Sequence, residues 1–561
     1  MSSDWKDKLK EVKRQLEDRK MKKVLETRAH EREAERPPAR KLVVPQPVKQ
    51  APRSLALLAP PKATTALSLI RVKEAILPPV PPWDGFKPTY NIGVDFGTSS
   101  TKVCAREHKG VIPNDPGPIY LAHLDGNDSY LCPSTVFIKN GRLYFGHQAE
   151  REETSDAVPF RHLKACLACE VEPARATAFA ECSSTREPGT SRCTGSFRYS
   201  HPLSASQLVT LYLGWVMREA RGVVSKSLRL GSNAAFTYHV GLPLEQIDKS
   251  AAFVSLYEKI SYQAWRISEG VVQGLDLNKA VKWLNEVTNE PIPNAEDSPV
   301  QLAPEIVASL VPFLINCVRS VALTPGLYGL VDIGAWTTDV AMFRYSSNGV
   351  VSFPVTSVRR TGCNLIDEEL RSGLLGLVGG SSDRSLHVLS KIRVERENHS
   401  FDKSTFRVAR YDVTPPPSLQ DYTLRVAAGK IWRQFIETVK LAHDNWKERY
   451  DEQTFSTFQV FILGGGSNIE LLAKAPDYFK TKVTRFTSAL PGIPDNFKAI
   501  GAKHNAADLP SADYRRLAIA HGLAFAAGTW PEVTRPSQVK PAIPPPRKDA
   551  LTFEDLGYDE K

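Results

Sequence analysis

Two stretches of this chain, well over two hundred residues apart, follow one plan, and that repetition constrains the fold more than any other feature. The first is NIGVDFGTSSTKV, from Asn91 to Val103. The second is GLVDIGAWTTDVAMF, from Gly329 to Phe343. Laid together, Asp95 meets Asp332 and Gly97 meets Gly334. Ser100 and Thr101 meet Thr337 and Thr338, and Val103 meets Val340. Each copy reads as an apolar strand, an aspartate, a glycine turn, hydroxyls and a second apolar strand. That is a β-hairpin with an acid just before its tip. Two such hairpins predict a duplicated fold with one hairpin per half, the tips closing on one ligand.

The residue types name the ligand. A glycine turn lets backbone N–H groups converge into an anion-binding nest, and hydroxyls add donors. Paired aspartates suit a hard divalent cation. Mg²⁺ keeps several waters and binds through one or two carboxylates plus phosphates. A third stretch, VFILGGGSN (Val460 to Asn468), is a buried-type strand ending in Gly464, Gly465, Gly466 and Ser467. Glycines at a strand end admit a flat ligand such as a purine or ribose close to the backbone. One such motif alone is a common surface turn. The hairpins in register predict a Mg–nucleotide clamp.

The rest of the chain bounds the setting. Its 561 residues exceed one compact core. Residues 1–36 read as a charged helix with one apolar stripe, Trp5, Leu9, Val12 and Leu16. Residues 37–89 are a proline-rich extended linker with small apolar islands (LALLA, LSLIRV, AILPPV) that could dock a partner. Strand-like and helical runs then mix from Tyr90 to about Gly528, an α/β pattern. Residues 529–561 read as a disordered proline-rich, acidic tail. The net charge of +10 is modest at this length and spread along the chain, which argues against a nucleic-acid partner. No apolar run spans a membrane and the N-terminus lacks a signal-peptide core, so a cytoplasmic protein is expected. Cys166, Cys169, Cys182 and Cys193 cluster in sequence. Reduced thiols are the plainer reading; zinc is the alternative.

IGVDFGTSSTKV, VDIGAWTTDVAMF and FILGGGSN resemble, in order, the two phosphate loops and the adenosine loop of the actin-like ATPase superfamily. The resemblance is strongest to the nucleotide-binding domain of heat-shock protein 70 chaperones. LCPSTVFIKNGRLYFGHQA, TGCNLIDEEL and LAIAHGLAFAAG extend it over about Tyr90 to Gly528. It implies a two-lobed fold of duplicated ribonuclease H-like domains, lobes 90–320 (with an insertion) and 321–528, with ATP in the cleft. Asp95 and Asp332 would hold Mg²⁺ through its waters. Gly97, Thr98 and Ser99 would cradle phosphate opposite Gly334, Thr337 and Thr338, with Gly464, Gly465, Gly466 and Ser467 at the adenosine. Asp339 would lie near the attacking water. QLAPEIVASL resembles the helix with the family's glutamate, and FRHLKACL the stretch with its catalytic lysine. Glu305 is thus the candidate base or Mg-water ligand, and Lys164 the γ-phosphate ligand. An ordinary helix N-terminal acid and a surface lysine are the plain alternatives for these two.

Two departures from the family stand out. Ala335 and Trp336 occupy positions where the second phosphate loop usually carries small residues, which puts hydrolysis in question more than binding. No peptide-binding domain or lid follows Gly528, so peptide clamping of the usual kind is not expected. The expected function is a slow, chaperone-like or partner-regulating ATPase. A client or partner would be met by the N-terminal helix, the linker or the tail. A nucleotide-binding scaffold, an actin-like filament and a small-molecule kinase are the competing readings.

Overall fold

A computed structural model describes residues 77–83, 89–108, 117–152, 159–171, 203–294, 297–315, 323–363, 365–366, 417–446, 457–468, 485–491, 493–494, 496–502, 509, 513–525 and 529–539. The expected helix over 1–36, most of the linker, Cys182, Cys193, the side chain of Cys169 and the tail beyond 539 lie outside them. Within them the chain is α/β.

The first large sheet begins with β1 (Tyr90–Phe96), β2 (Ser100–Glu107) and β3 (Ile119–Ala122). β1 and β2 form the first expected hairpin, and β3 runs antiparallel to β2. After helices α1 (Leu163–Val171) and α2 (Ala205–Leu228), strand β4 (Phe236–Leu242) joins β1 in parallel. Helix α3 (Ala251–Ile267) then leads to β5 (Val300–Pro304), which joins β4 in parallel. Helix α4 (Glu305–Leu314) starts at the next residue.

The second sheet repeats this plan. β6 (Gly326–Ile333) and β7 (Thr338–Tyr345) form the second hairpin, and β8 (Val351–Arg359) continues the meander. Past α5 (Pro417–Trp446), β9 (Thr457–Leu463) lies parallel to β6, and β10 (Arg485–Ala489) parallel to β9. Both sheets therefore carry the order 3-2-1-4-5, with the hairpin at the centre. Each also gains a parallel strand on its third member. β11 (Phe497–Ile500) pairs with β3 and, after helix α6 (Tyr514–Leu523), β12 (Val533–Thr534) pairs with β8. The duplication read from two hairpins thus extends to whole sheets.

The strands are apolar on both faces because helices cover them. α2 buries Leu208, Tyr212, Trp215 and Val216 against the first sheet. α5 buries Ile431, Trp432 and Phe435 against the second. A third core is shared. There α4 (Leu310, Phe313) and α6 (Tyr514, Leu517) meet Ile119 and Leu121 of the first sheet and Leu330, Phe343 and Phe461 of the second. The linker residues 77–83 lie on the first core, where Leu77 and Trp83 pack and Arg266 Nη1 donates to the Pro78 carbonyl at 3.1 Å. Fold continues past Gly528, where the sequence reading ends it. The Val351 N–H donates to the Glu532 carbonyl at 2.9 Å, and β12 covers an otherwise open edge of β8.

The contact between α4 and α6 is close enough to exclude a side chain. A Cβ at Gly522 would overlap the Ala308 carbonyl. Gly522→Ala is expected to cost about 3 kcal/mol or more, since neither helix can withdraw without opening the shared core. Thermal or urea denaturation measures this, and a change under about 0.5 kcal/mol would contradict the contact.

Candidate active site

The two hairpin tips are held by buried polar groups rather than by the turns alone. At the first, Ser134 Oγ donates to the Gly97 carbonyl at 2.7 Å. Tyr212 Oη donates to the Pro133 carbonyl at 2.9 Å and lies 3.0 Å from Thr101 Oγ1. At the second, the Gly334 N–H donates to the Thr337 carbonyl at 2.9 Å. The Cys363 N–H donates to the Gly334 carbonyl at 3.0 Å, and Gln434 Nε2 to the Thr338 carbonyl at 2.9 Å. Tips fixed in this way present backbone N–H groups without needing a ligand to order them.

Both tips line one cleft of about 960 Å³, a figure that includes the open solvent at its mouth. Asp95, Gly97, Thr98 and Ser99 form one wall, and Asp332, Gly334, Thr337 and Asp339 the facing one. Lys164 of α1 and Glu305 at the start of α4 also reach it, as do Gly464, Gly465 and Gly466. Gly464 has φ +80° and sits so close to Asp332 that any Cβ would strike the carboxylate. Two expected residues stand outside the lining. Thr338 Oγ1 donates to the Thr361 carbonyl at 2.9 Å, and Ser467 Oγ to the Gly464 carbonyl at 2.6 Å. Their hydroxyls brace the loops instead.

Hairpin register sets the electrostatics. Asp95 lies opposite Lys102, and Asp332 lies opposite Asp339. Lys102 Nζ donates to Asp95 Oδ2 at 3.0 Å. Lys164 and Glu305 form a second ion pair across the cleft. Each pair is neutral, which leaves the carboxyls of Asp332 and Asp339 as a cross-strand pair with no ion-pair partner among the described residues. Burial, then the charges of Asp95 and Glu305, push the Asp332 carboxyl up to about 7. Burial, then the charges of Glu305 and Asp332, hold Asp339 well above the usual carboxylate range. Burial also raises Glu305, with Lys164 pulling against it. For Lys164 burial favours loss of the proton, but Glu305 and the other acids outweigh it and keep the amine charged.

This donor set fits a divalent cation with water and phosphate ligands. Asp339 Oδ1 and Ser99 Oγ are buried with no hydrogen-bond partner, and two carboxyls, Asp332 and Asp339, stand together on one wall with no ion-pair partner among the described residues. Among the described residues no group of three His, Cys, Asp or Glu side chains could enclose a metal. An all-protein cage is therefore not formed there, whereas Mg²⁺ needs only one or two carboxylates. Cys166 is a buried thiol outside any disulfide, packed with Ala165, Ala205 and Trp336.

Trp336 is turned out of the cleft. Only 4% of it is exposed, and its Nε1–H donates to His162 Nδ1. The rings meet edge-on at 4.8 Å, and the bond requires the His162 tautomer that accepts at Nδ1. His162 immediately precedes α1, so the tip of the second hairpin is seated against the helix that carries Lys164.

Several lining residues escaped the sequence reading: Lys102, Leu131, Cys363, Arg515 and Arg516 among them. Lys102 was legible in principle, because a four-residue turn from Gly97 to Ser100 puts it opposite Asp95. Arg515 and Arg516 carried no local signal, since only the return of α6 brings them to the cleft. The chain matches no protein-family model and no curated protein. Among the described residues no helix is long and apolar enough to cross a membrane.

An aspartate raised from 3.8 to about 7 holds its proton in the folded chain, but not in the unfolded one, between those values. Its contribution is therefore full below about pH 4 and is lost as pH rises to about 7, at ~1.4 kcal/mol per pH unit at most. In chelator, Asp332→Asn removes that slope, and thermal melts should diverge in the variant's favour up to about pH 7. Parallel curves across this range would mean that Asp332 ionises without penalty.

Proposed function

We propose that this chain is a Mg-ATP-binding ATPase of the actin-like, two-lobed kind, resembling the nucleotide-binding domain of heat-shock protein 70, and that slow hydrolysis serves it as a conformational switch. The observation that carries this reading is the convergence of two equivalent hairpins, from two sheets of identical strand order, on one cleft with Lys164, Glu305 and a glycine turn. The glycine loops and Thr98, Ser99 and Thr337 would cradle the phosphates. Asp332 and Asp95 would hold Mg²⁺ through its waters, and bound Mg²⁺ would offset charge on the β- and γ-phosphates.

Charge pairing suggests how binding and hydrolysis are linked. Lys164 is held by Glu305. A γ-phosphate offers Lys164 a stronger anion and releases the Glu305 carboxylate. Glu305, raised by burial, is then suited to accept a proton from a water aimed at the γ-phosphate, with Asp339 helping to orient that water. Lys164 donates to the phosphate oxygens as charge develops on them. The exchange of partners moves α1 relative to α4, and Trp336 transmits it to the second hairpin through His162. In this reading the termini couple the motion to a protein partner in the cytoplasm.

Calorimetry and phosphate release with purified protein test the proposal. Wild type should bind ATP in a Mg²⁺-dependent way and release phosphate slowly, and Asp332→Ala should do neither. Lys164→Ala should keep ATP affinity within about tenfold while phosphate release falls ~100-fold or more, the loss of a transition-state contact. Absence of ATP binding by wild type overturns the reading. Binding with no turnover at all would leave a nucleotide-gated scaffold.

A further inference from the structure

Arg516 lies on the first turn of α6, forms part of the cleft wall and is 7% exposed. Its Nε is buried with no acceptor and lies beside Gly465, where a Cβ would stand 3.6 Å from it. Among the described residues no carboxylate forms an ion pair with it. Asp513, one turn earlier, accepts from Asn468 Nδ2 at 3.4 Å, and the Tyr130 hydroxyl lies within the influence of both Asp513 and Arg516. Arg515 differs, because its Nη1 donates to the Ser467 carbonyl at 2.6 Å.

A buried guanidinium with no ion-paired anion is costly, and it cannot shed its proton to relieve the cost. The cleft thus holds two opposite imbalances. Among the described residues Asp332 and Asp339 form no ion pair with a cation, and Arg516 forms none with an anion. They are close, because Gly464 abuts Asp332 and the next residue, Gly465, abuts Arg516, with successive Cα atoms about 3.8 Å apart. A nucleoside polyphosphate carrying a divalent cation satisfies both at once. Neither a bare metal ion nor an uncharged nucleoside does.

We propose that Arg516 is a phosphate anchor, binding the part of the polyphosphate chain that lies away from Lys164. This rests on the nucleotide reading above, and it assigns the recognition of the phosphate chain to a residue outside the glycine–hydroxyl loops. Arginine suits the task because its planar fork meets phosphate oxygens in pairs.

The test compares full-length wild type, Arg516→Gln and Arg516→Lys by calorimetry with Mg-ATP, Mg-ADP, Mg-pyrophosphate and adenosine. Arg516→Gln should weaken ATP, ADP and pyrophosphate by about tenfold or more and leave adenosine unchanged, with partial recovery in Arg516→Lys. Ligand-free Arg516→Gln should melt no lower than wild type, because an unpartnered charge has been removed. Equal weakening of adenosine and ATP, unchanged ATP affinity, or a variant that fails to fold would each overturn the proposal. If wild type binds pyrophosphate but not ATP, and Arg516→Gln loses it, the anchor stands and the nucleotide reading falls. If both proteins bind ATP equally, the nucleotide reading stands and the anchor falls.

Discussion

The two aspartates sit at equivalent places in equivalent hairpins, yet the residues opposite them differ in sign. Asp95 faces Lys102 across β1 and β2, and Asp332 faces Asp339 across β6 and β7. Opposite charges across a strand pair stabilise it and like charges destabilise it. The first hairpin is complete by itself. The second places two carboxyls opposite each other, where burial favours their protonated forms. Gln434, the Thr361 carbonyl and the loop at Gly362 and Cys363 clamp it from three directions. A site built on this asymmetry favours a ligand that brings positive charge to one wall only.

The shared core explains how groups from distant parts of the chain meet in that site. α4 and α6 press together where Gly522 meets Ala308, and both touch strands of both sheets. Glu305 opens α4 and Arg516 lies on the first turn of α6. The packing that joins the two sheets therefore also delivers a carboxylate and a guanidinium to the cleft. Lys164 arrives separately on α1, tied to Glu305 by charge and to the second hairpin through His162 and Trp336.

Local patterns were readable because they are local. Asp95, Gly97, Asp332, Gly334 and Gly464 announce themselves through strand–turn spacing, and all five line the cleft. Thr338 and Ser467 share the same spacing, but their hydroxyls found carbonyls within their own loops. Sequence spacing gives a hydroxyl's neighbourhood and not its acceptor. Trp336 looked like an obstruction from its position in the turn. It is not one, because His162 and the small residues Ala165 and Ala205 provide a seat for its ring on the outer side.

The sequence by itself determined the hairpins, the α/β alternation, the glycine turns and the acids beside them, since each depends on residues within one or two turns of chain. Tertiary structure alone decided the common strand order of the two sheets, the pairing of Lys164 with Glu305, the outward seat of Trp336 and the unpartnered burial of Arg516. These depend on which long-range segments share a core. Glu305 and Arg516, more than two hundred residues apart, reach the same cleft because the helices that bear them, α4 and α6, are pressed together there.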